Sequence, residues 1–310
     1  MMTGRYRTMT VNRYKARHSQ FRPGAYTSSP QLPGNETMTH PQDLLAKRYG
    51  APATPAPAAW TQVIETLLDH RSVRAYLPEP VSDDQLAIII AAAQSAASSS
   101  NLQAWSVVAV RDPANRARLA ELAGNQAHIT AAPLHLVWIA DLARLEKLTL
   151  STQRPGGALD YLEMFLVAAI DATLAAQNAV AAAESLGLGT VYIGALRNHP
   201  EEIAQLLDLP PRTIAIFGTC VGKPDSAHPT AIKPRPPQSV VLHHERYSLE
   251  AQDVGIETYN ATMARFYEEQ QMKVHGTWAV HSSKRVAGAE SLSGRDQLSA
   301  ALHRRGFALK

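Results

Sequence analysis

The segment His70-Arg71-Ser72-Val73-Arg74 brings two guanidinium groups, a hydroxyl and an imidazole together within five residues. Guanidinium groups bind phosphate through paired hydrogen bonds, and serine and histidine add single hydrogen bonds to a polyhydroxylated ligand. The segment follows a helical stretch predicted over Ala58 to Asp69. A solvated basic turn has the same composition, and on these five residues alone it is the simpler interpretation. A phosphate site is predicted only if distant segments supply matching groups.

Three further polar clusters stand at the ends of predicted elements, where binding sites tend to form. They are Ser98 to Gln103, Ile193 to Asn198 and Lys233 to Arg235. The first is rich in hydroxyl groups, the second is a glycine-containing turn, and the third adds two cations. Because each cluster alone is typical of an ordinary loop, the argument depends on the elements that position them.

Hydrophobic periodicity predicts those elements. Ser82 and Gln85 form a capping-box pattern that begins a helix ending in the serine run, and Asp112 before Pro113 begins another helix. Strands are predicted over Ala104 to Arg111, Pro133 to Ala140, Thr190 to Ile193 and Arg212 to Val221. The second of these is nearly all apolar, which predicts a central position in a sheet.

The longest helical signal runs from Ala158 to Leu186. At a rise of 1.5 Å per residue this helix would be roughly 40 Å long. It is apolar on most of its circumference, which predicts burial in a core or at a subunit interface. Asp171, Gln177 and Asn178 interrupt its most apolar stretch, Phe165 to Ala183, so no membrane-spanning segment is predicted.

Strands and helices alternate through irregular connections, and the helices are not all of crossover length. The pattern indicates an α+β domain of mixed layers rather than a doubly wound parallel sheet. No Gly-x-Gly-x-x-Gly follows a strand, which argues against a Rossmann dinucleotide site. The predicted organisation is a disordered N-terminal extension and linker over 1–57 and a binding domain over 58–250. Residues 251–310 are expected to pack on that domain or on a dimer partner.

Composition bears on partners and compartment. The net charge of +3 and the scattered basic residues do not form a nucleic-acid footprint, and the basic stretch 1–37 is typical of disorder. A single cysteine, Cys220, excludes an internal disulfide and a cysteine-based zinc site and fits a reducing compartment such as the cytoplasm. His128, His135 and the pair His243-His244 lack metal-ligand spacing, so no metal is predicted.

Taken together, the four clusters resemble, in order and spacing, the flavin-dependent nitroreductase superfamily. The resemblance is strongest to its branch of NADPH-preferring, oxygen-insensitive nitroreductases and flavin reductases. It covers Trp60 to Tyr247 well and the remainder loosely, and the chain before Trp60 has no counterpart in it. The resemblance implies a homodimer with a central, mostly antiparallel sheet, flanking helices and a long buried interface helix.

The resemblance also implies an FMN cofactor and the residues that bind it. Two segments of the family are matched here. One binds the FMN phosphate and ribityl chain, and the other reaches the flavin from the partner subunit. They correspond to His70, Arg71, Ser72 and Arg74, and to Ser98, Ser99, Ser100 and Gln103. Gln126 matches a glutamine at the flavin's pyrimidine edge, and Ile193, Gly194 and Ala195 match the turn whose backbone N–H faces flavin N5.

Lys233 and Arg235 match a Lys-Pro-Arg segment that closes on the phosphate. With Arg71 and Arg74 they supply up to four cations for a dianion, and each well-placed charge-assisted bond contributes roughly 1.5–3 kcal/mol. Ala195 departs from the family's glycine, so it would be strained if positive φ were required, and its Cβ narrows the pocket.

The arginines that the family uses for NADPH are replaced in this chain by Lys273 and His275. Lysine holds a phosphate as a point charge rather than as a fork, so the implied co-substrate is NADPH or NADH. The implied reaction passes a hydride through flavin N5 to nitroaromatic, quinone or free flavin acceptors by a ping-pong mechanism. No catalytic side chain is expected, because the cofactor carries the chemistry. A flavin carrier or sensor with little turnover, and a protein whose basic tail binds nucleic acid or an anionic surface, remain as alternatives.

Overall fold

The computed structural model of the protein describes residues 41–50 and 59–310. In this part of the chain a four-stranded antiparallel sheet has the order β1-β2-β4-β3. The strands are β1 (Trp105–Val110), β2 (Leu134–Asp141), β3 (Gly189–Ile193) and β4 (Thr213–Gly222). All eight residues of β2 are buried, as its apolar sequence predicts. The predicted α+β fold with a mostly antiparallel sheet is confirmed.

Helices cover both faces of the sheet and form the C-terminal part of the chain. They are α1 (Pro41–Tyr49), α2 (Gln62–Asp69), α3 (Asp83–Gln94), α4 (Pro113–Leu122), α5 (Ala127–Ala131), α6 (Ala143–Ser151), α7 (Leu162–Ser185), α8 (Pro200–Leu206), α9 (Asp253–Glu269), α10 (Trp278–Arg285) and α11 (Leu298–Arg304). Two predicted helix starts have the expected hydrogen bonds. The Ser82 hydroxyl accepts from Gln85 N and the Gln85 side chain accepts from Ser82 N, while Asp112 caps α4 by accepting from Asn115 N.

Helix α7 has two different apolar faces. One face packs alanines such as Ala172 and Ala176 against the sheet. The other face carries four apolar side chains that are 42–56% exposed, namely Leu162, Leu166, Ile170 and Leu174. By length and composition alone α7 could cross a bilayer, but the alanine face is part of the domain core. The prediction that α7 is buried therefore holds within the domain for one face only.

The N-terminal boundary differs from the prediction. Residues 41–49, which the sequence places in a disordered extension, form α1 with Leu44 and Arg48 buried. The pattern is missed because the helix is short and one of its two buried positions is an arginine. Residues 1–40 and 51–57, also assigned to the extension and linker, and Ala58, the first residue of the predicted domain, lie outside the described residues.

The C-terminal residues belong to the same compact unit as the sheet. Phe307 is 1% exposed and shares a core cluster with Leu142 of the loop after β2. The backbone of Lys310 is hydrogen-bonded to Asp160 and Leu162, just before and at the start of α7. These contacts join the end of the chain to the sheet domain, and packing of residues 251–310 on a dimer partner stays a prediction.

Candidate functional site

The segment His70–Arg74 leaves α2 and runs beside the start of β3. Val73 N donates to the Thr190 carbonyl at 2.9 Å, and Ser72 pairs with Thr190 in a parallel bridge. Gly189 permits this approach, since a Cβ there would lie 2.7 Å from a methyl carbon of Val73. The turn that the sequence singles out is thus fixed to the sheet by backbone hydrogen bonds.

His70 is oriented by a carboxylate at the end of α7. Its Nδ1 lies 2.7 Å from Glu184 Oε1, and the Thr190 hydroxyl donates to the same oxygen at 2.7 Å. Both His70 and Glu184 are only partly exposed. The Nε2 atom of His70 has no hydrogen bond with a described residue.

The two arginines of this segment differ in their partners. Arg71 is ion-paired with Asp69, two residues earlier, and lines a cavity of about 720 Å³ between α1, α9 and residues 230–234. Arg74 is exposed and has no hydrogen bond or ion pair with a described residue. The phosphate role predicted for Arg71 therefore competes with a carboxylate on its own turn, whereas Arg74 is open to a ligand.

Lys233 and Arg235 lie on a segment, 229–237, that has no regular secondary structure. Partial burial, followed by the charges of Arg74 and Arg235, lowers the pKa of Lys233 below its usual value. The side chain of Lys233 has no described carboxylate partner, and Arg235 folds back on the carbonyls of Lys233 and Pro234. We call Arg74, Lys233 and Arg235 the cationic cradle. Lys233 is repelled by both arginines, and none of the three cations forms an ion pair with a described residue. Such a group is suited to binding a dianionic phosphate.

The segment Ser98–Gln103, here called the serine loop, is held by a buried acid on α7. Asp171 is 2% exposed and accepts hydrogen bonds from the Ser98 hydroxyl at 2.7 Å, Ser99 N at 3.3 Å and Ala104 N at 3.1 Å. The Ser98 oxygen in turn accepts from Gln103 N at 2.8 Å. Ser98, predicted to bind flavin, therefore donates its only hydroxyl proton to the protein itself.

The backbone of the serine loop is strained. Ser100, Asn101 and Gln103 have φ of 49°, 53° and 51°, which non-glycine residues seldom adopt. Such conformations persist where surrounding contacts impose them, and they concentrate at functional sites. Ser99 and Ser100 of this loop are exposed.

Gln126 and His128 lie at the start of α5, near the cradle. The Gln126 amide donates to the Ala123 carbonyl at 2.8 Å, which leaves its side-chain oxygen as an acceptor. Burial and the charge of Arg74 lower the pKa of His128, and its buried Nε2 has no partner among the described residues. Since the charge of Arg74 acts on both His128 and Lys233, the structure brings α5 and the cradle to the same region.

The turn after β3 accommodates Ala195 without strain. Gly194–Asn198 forms a 3₁₀ helix, and Ala195 is not among the described residues with positive φ. Arg197 closes the turn by donating to the Ile216 carbonyl, and its guanidinium lies 3.4 Å from the position of a Cβ on Gly194. The strain considered for alanine does not arise, because this backbone does not require glycine at 195.

Lys273 and His275 lie on the exposed loop between α9 and α10. A cavity of about 420 Å³ lies beside this loop, lined by α9 together with Met272, Val274 and Gly276. Neither Lys273 nor His275 is hydrogen-bonded to a described residue. Their assignment to NAD(P)H binding stays a prediction.

Three residues with positioning contacts were not selected from the sequence: Arg48, Asp171 and Glu184. Asp171 could have been selected as a positioning residue because it is an acid within an apolar helix, and a buried carboxylate needs hydrogen-bond donors. Arg48 gave no such signal. Among the described residues, no three His, Cys, Asp or Glu side chains are grouped as metal ligands.

Comparison with known proteins agrees with this geometry. The nitroreductase family model matches residues 67–223, and the model of the nitroreductase family C-terminal domain matches residues 233–310. The NADPH-flavin oxidoreductase of Vibrio harveyi is 39% identical over 226 residues, covering 73% of this chain and 91% of that protein. The oxygen-insensitive NADPH nitroreductase of Salmonella typhimurium is 36% identical over 248 residues, covering 80% and 98%.

Solved structures give the same result. NfrA2 of B. megaterium superposes with a TM-score of 0.76 at 39% identity, covering 81% of this chain and all of that chain. The NADPH:FMN oxidoreductase of Vibrio harveyi, solved with NAD+, has a TM-score of 0.71 at 37% identity, again covering 81% and 100%. The chain belongs to the nitroreductase family.

Proposed function

We propose that the chain is an FMN-dependent oxidoreductase that uses NADPH or NADH to reduce small molecules such as nitroaromatics, quinones or free flavin. Its family and relatives that include FMN reductases and nitroreductases support this function. FMN supplies the redox chemistry when bound, because its ring accepts a hydride from the nicotinamide and gives it to the acceptor. The chain's own residues bind, orient and expose that ring.

The observation that carries the proposal is the cationic cradle. Arg74, Lys233 and Arg235 gather positive charge at one place, and no described acid neutralises Arg74 or Lys233. A phosphate dianion offers more acceptor positions than a single carboxylate, so it suits these donors. We assign the FMN phosphate to the cradle, with Ser72 and the Nε2 atom of His70 beside it. Arg71 would join them either by leaving Asp69 or through its Nη1 atom, which has no hydrogen bond with a described residue.

The other predicted segments are assigned to the flavin ring. We assign the Gln126 oxygen to the pyrimidine edge of the ring and the backbone of Ile193, Gly194 and Ala195 to the region of N5. Ser99 and Ser100 are exposed on this strained loop, which suits a contact with a flavin bound by a second subunit. We keep Gln103 in that contact, although its amide donates to Asn101 at 2.9 Å in this structure.

A homodimer is part of the proposal. The exposed stripe on α7 repeats every four residues from Leu162 to Leu174, and Val63, Leu67 and Ile88 add exposed apolar surface on α2 and α3. Apolar surface of this kind is typical of a protein interface. Since α7 also carries Asp171, a partner packed on its outer face would lie close to the serine loop. We further propose a cytoplasmic location, which the single buried Cys220 favours.

The proposal is tested by flavin binding and turnover together. Purified protein should bind FMN stoichiometrically, and NADPH or NADH should be consumed when a quinone, a nitroaromatic or free FMN is supplied. Parallel assays with NADPH and NADH measure which of the two the enzyme prefers, and we assign this preference to Lys273 and His275. Protein that binds FMN tightly but consumes neither nicotinamide with any acceptor would contradict the enzyme and favour a flavin carrier.

A further inference from the structure

Helix α1 contributes one residue, Arg48, that contacts two arms of the site: the end of α2, which leads to Arg74, and the Lys233–Arg235 segment. Its guanidinium donates to the carbonyls of Leu68 at 2.7 Å and His70 at 2.8 Å, and also to the carbonyl of Lys233 at 3.0 Å. The Arg48 carbonyl accepts from Arg235 N at 2.7 Å. One arginine thus bridges the end of α2 and the Lys233–Arg235 segment, which are far apart in sequence.

These contacts satisfy groups that would otherwise lack partners. The last carbonyls of α2 receive no hydrogen bond from a backbone N–H within the helix. A cation at this end also interacts favourably with the helix dipole. Segment 229–237 has no regular secondary structure, so few backbone bonds position Lys233 and Arg235. Besides Arg48, the Tyr259 hydroxyl anchors this segment by donating to the Pro234 carbonyl at 3.0 Å.

Arg48 is 6% exposed, so its charge lies beneath the cradle rather than at its surface. Burial, and then the charge of Arg235, lowers its pKa, as expected where one cation lies against another. All three of its side-chain hydrogen bonds end on backbone carbonyls, and Arg48 forms no ion pair with a described acid. Its contacts set the separation of the two arms while leaving their charges available.

We propose that Arg48 is a positioning residue for phosphate recognition, and that α1 is an added part of the FMN site. This inference rests on the proposed function. Helix α1 lies upstream of both stretches that the family models match, which begin at residues 67 and 233. The site therefore includes a contribution from a part of this chain that those models do not describe.

The test compares FMN with riboflavin, which lacks the phosphate. Dissociation constants of both flavins are measured with flavin-free, full-length protein, and the riboflavin-to-FMN ratio reports the phosphate contribution alone. Arg48→Met removes the three donors while keeping a long side chain. Lys223→Met is the control, because it removes an exposed cation that is paired with Glu79 and does not line the cavity beside Arg71.

We expect Arg48→Met to lower the ratio at least about tenfold, which corresponds to roughly 1.4 kcal/mol. Lys223→Met should leave the ratio unchanged. Arg48→Lys keeps the charge but cannot span three carbonyls, so it should give an intermediate ratio and serves if the methionine variant does not fold. A general structural role would weaken both flavins equally, and an unchanged ratio in the folded variants would overturn the inference.

A second measurement needs no variant. In the wild-type protein, FMN should slow amide hydrogen exchange in residues 41–49 and 231–237, and riboflavin should protect both segments less. Equal protection by the two flavins would count against Arg48 as a phosphate-positioning residue. Failure of the wild-type protein to bind either flavin would instead overturn the proposed function itself, and the inference with it.

Discussion

In the cationic cradle the charged side chains are left unpaired, whereas in the serine loop most polar groups are already hydrogen-bonded to the protein. Arg74 and Lys233 have no ion pair with a described residue, and Arg48 joins the segments that carry them by donating to the carbonyls of His70 and Lys233. Ser98, by contrast, is bonded to Asp171 and to Gln103 N, and the loop backbone is strained around it. Both regions are positioned by a buried charged residue.

The difference separates two kinds of polar residue that look alike in a sequence. In the cradle the buried residue is a cation that binds carbonyls, so the other cations remain free for a ligand. In the serine loop the buried residue is an acid that binds Ser98 directly, so of the three serines only Ser99 and Ser100 are exposed. Variants of the cradle should therefore change recognition of the phosphate, and variants of the serine loop should change flavin binding as a whole.

The largest effect is expected from removing two cradle cations, Arg74→Ala with Lys233→Ala. Each well-placed charge-assisted bond contributes roughly 1.5–3 kcal/mol, so FMN affinity should fall at least about 100-fold. Riboflavin affinity should change little, because riboflavin has no phosphate. Titration of flavin-free protein with both ligands measures this. Lys223→Ala, which removes an exposed cation paired with Glu79, is the control. Unchanged FMN affinity in the double variant would contradict the assignment of the cradle.

A smaller effect, of a different kind, is expected from Asp171→Asn. The amide keeps the shape of the carboxylate but places an NH₂ group against a donor, either Ser99 N or the Ser98 hydroxyl and Ala104 N. The free energy of unfolding should fall by about 2 kcal/mol, since a buried hydrogen-bonded group loses a partner. Thermal or denaturant unfolding measures this change.

The same variant tests the comparison between the regions. Asp171→Asn should weaken FMN and riboflavin by the same factor, so their affinity ratio should stay constant. Glu163→Gln, an exposed substitution on α7, controls for the loss of a negative charge from that helix. A selective loss of FMN binding in Asp171→Asn would show that the serine loop and the cradle are not separate in function.

Local sequence signals predicted much of the fold. The capping box at Ser82, the Asp112–Pro113 start and the apolar run of β2 each depend on residues that are neighbours in the chain. The four polar segments were also selected from the sequence, because each carries a compact set of polar residues, and their binding roles stay predictions. Their resemblance to a known family supplied the order in which they act.

What the sequence missed depends on long-range contacts or on competition between partners. Arg48 meets residues 20 to 187 positions away, and nothing in the pattern of a short basic helix indicates those partners. Arg71 has a carboxylate two residues before it, and the sequence alone does not decide between Asp69 and a ligand. Ser98 has the same residue type as Ser99 and Ser100, but only the folded loop shows which hydroxyl binds Asp171.

The smallest expected effect is a pH dependence of FMN binding caused by Lys233. Its pKa in the flavin-free protein is lowered, by burial and by the charges of Arg74 and Arg235. A bound phosphate dianion favours the ammonium form and therefore raises that pKa. FMN affinity should be constant below the lowered pKa, fall as the pH rises through it, and level off above the pKa of the complex.

Measuring the FMN dissociation constant from neutral to alkaline pH would show this fall, and riboflavin measured in parallel should show none. Lys233→Arg is the matched variant, because a guanidinium keeps its proton across this range and should give a flat profile. If Lys233→Arg retains the fall, another group causes it. The cradle would then recognise the phosphate through Arg74 and Arg235, with Lys233 contributing little to affinity.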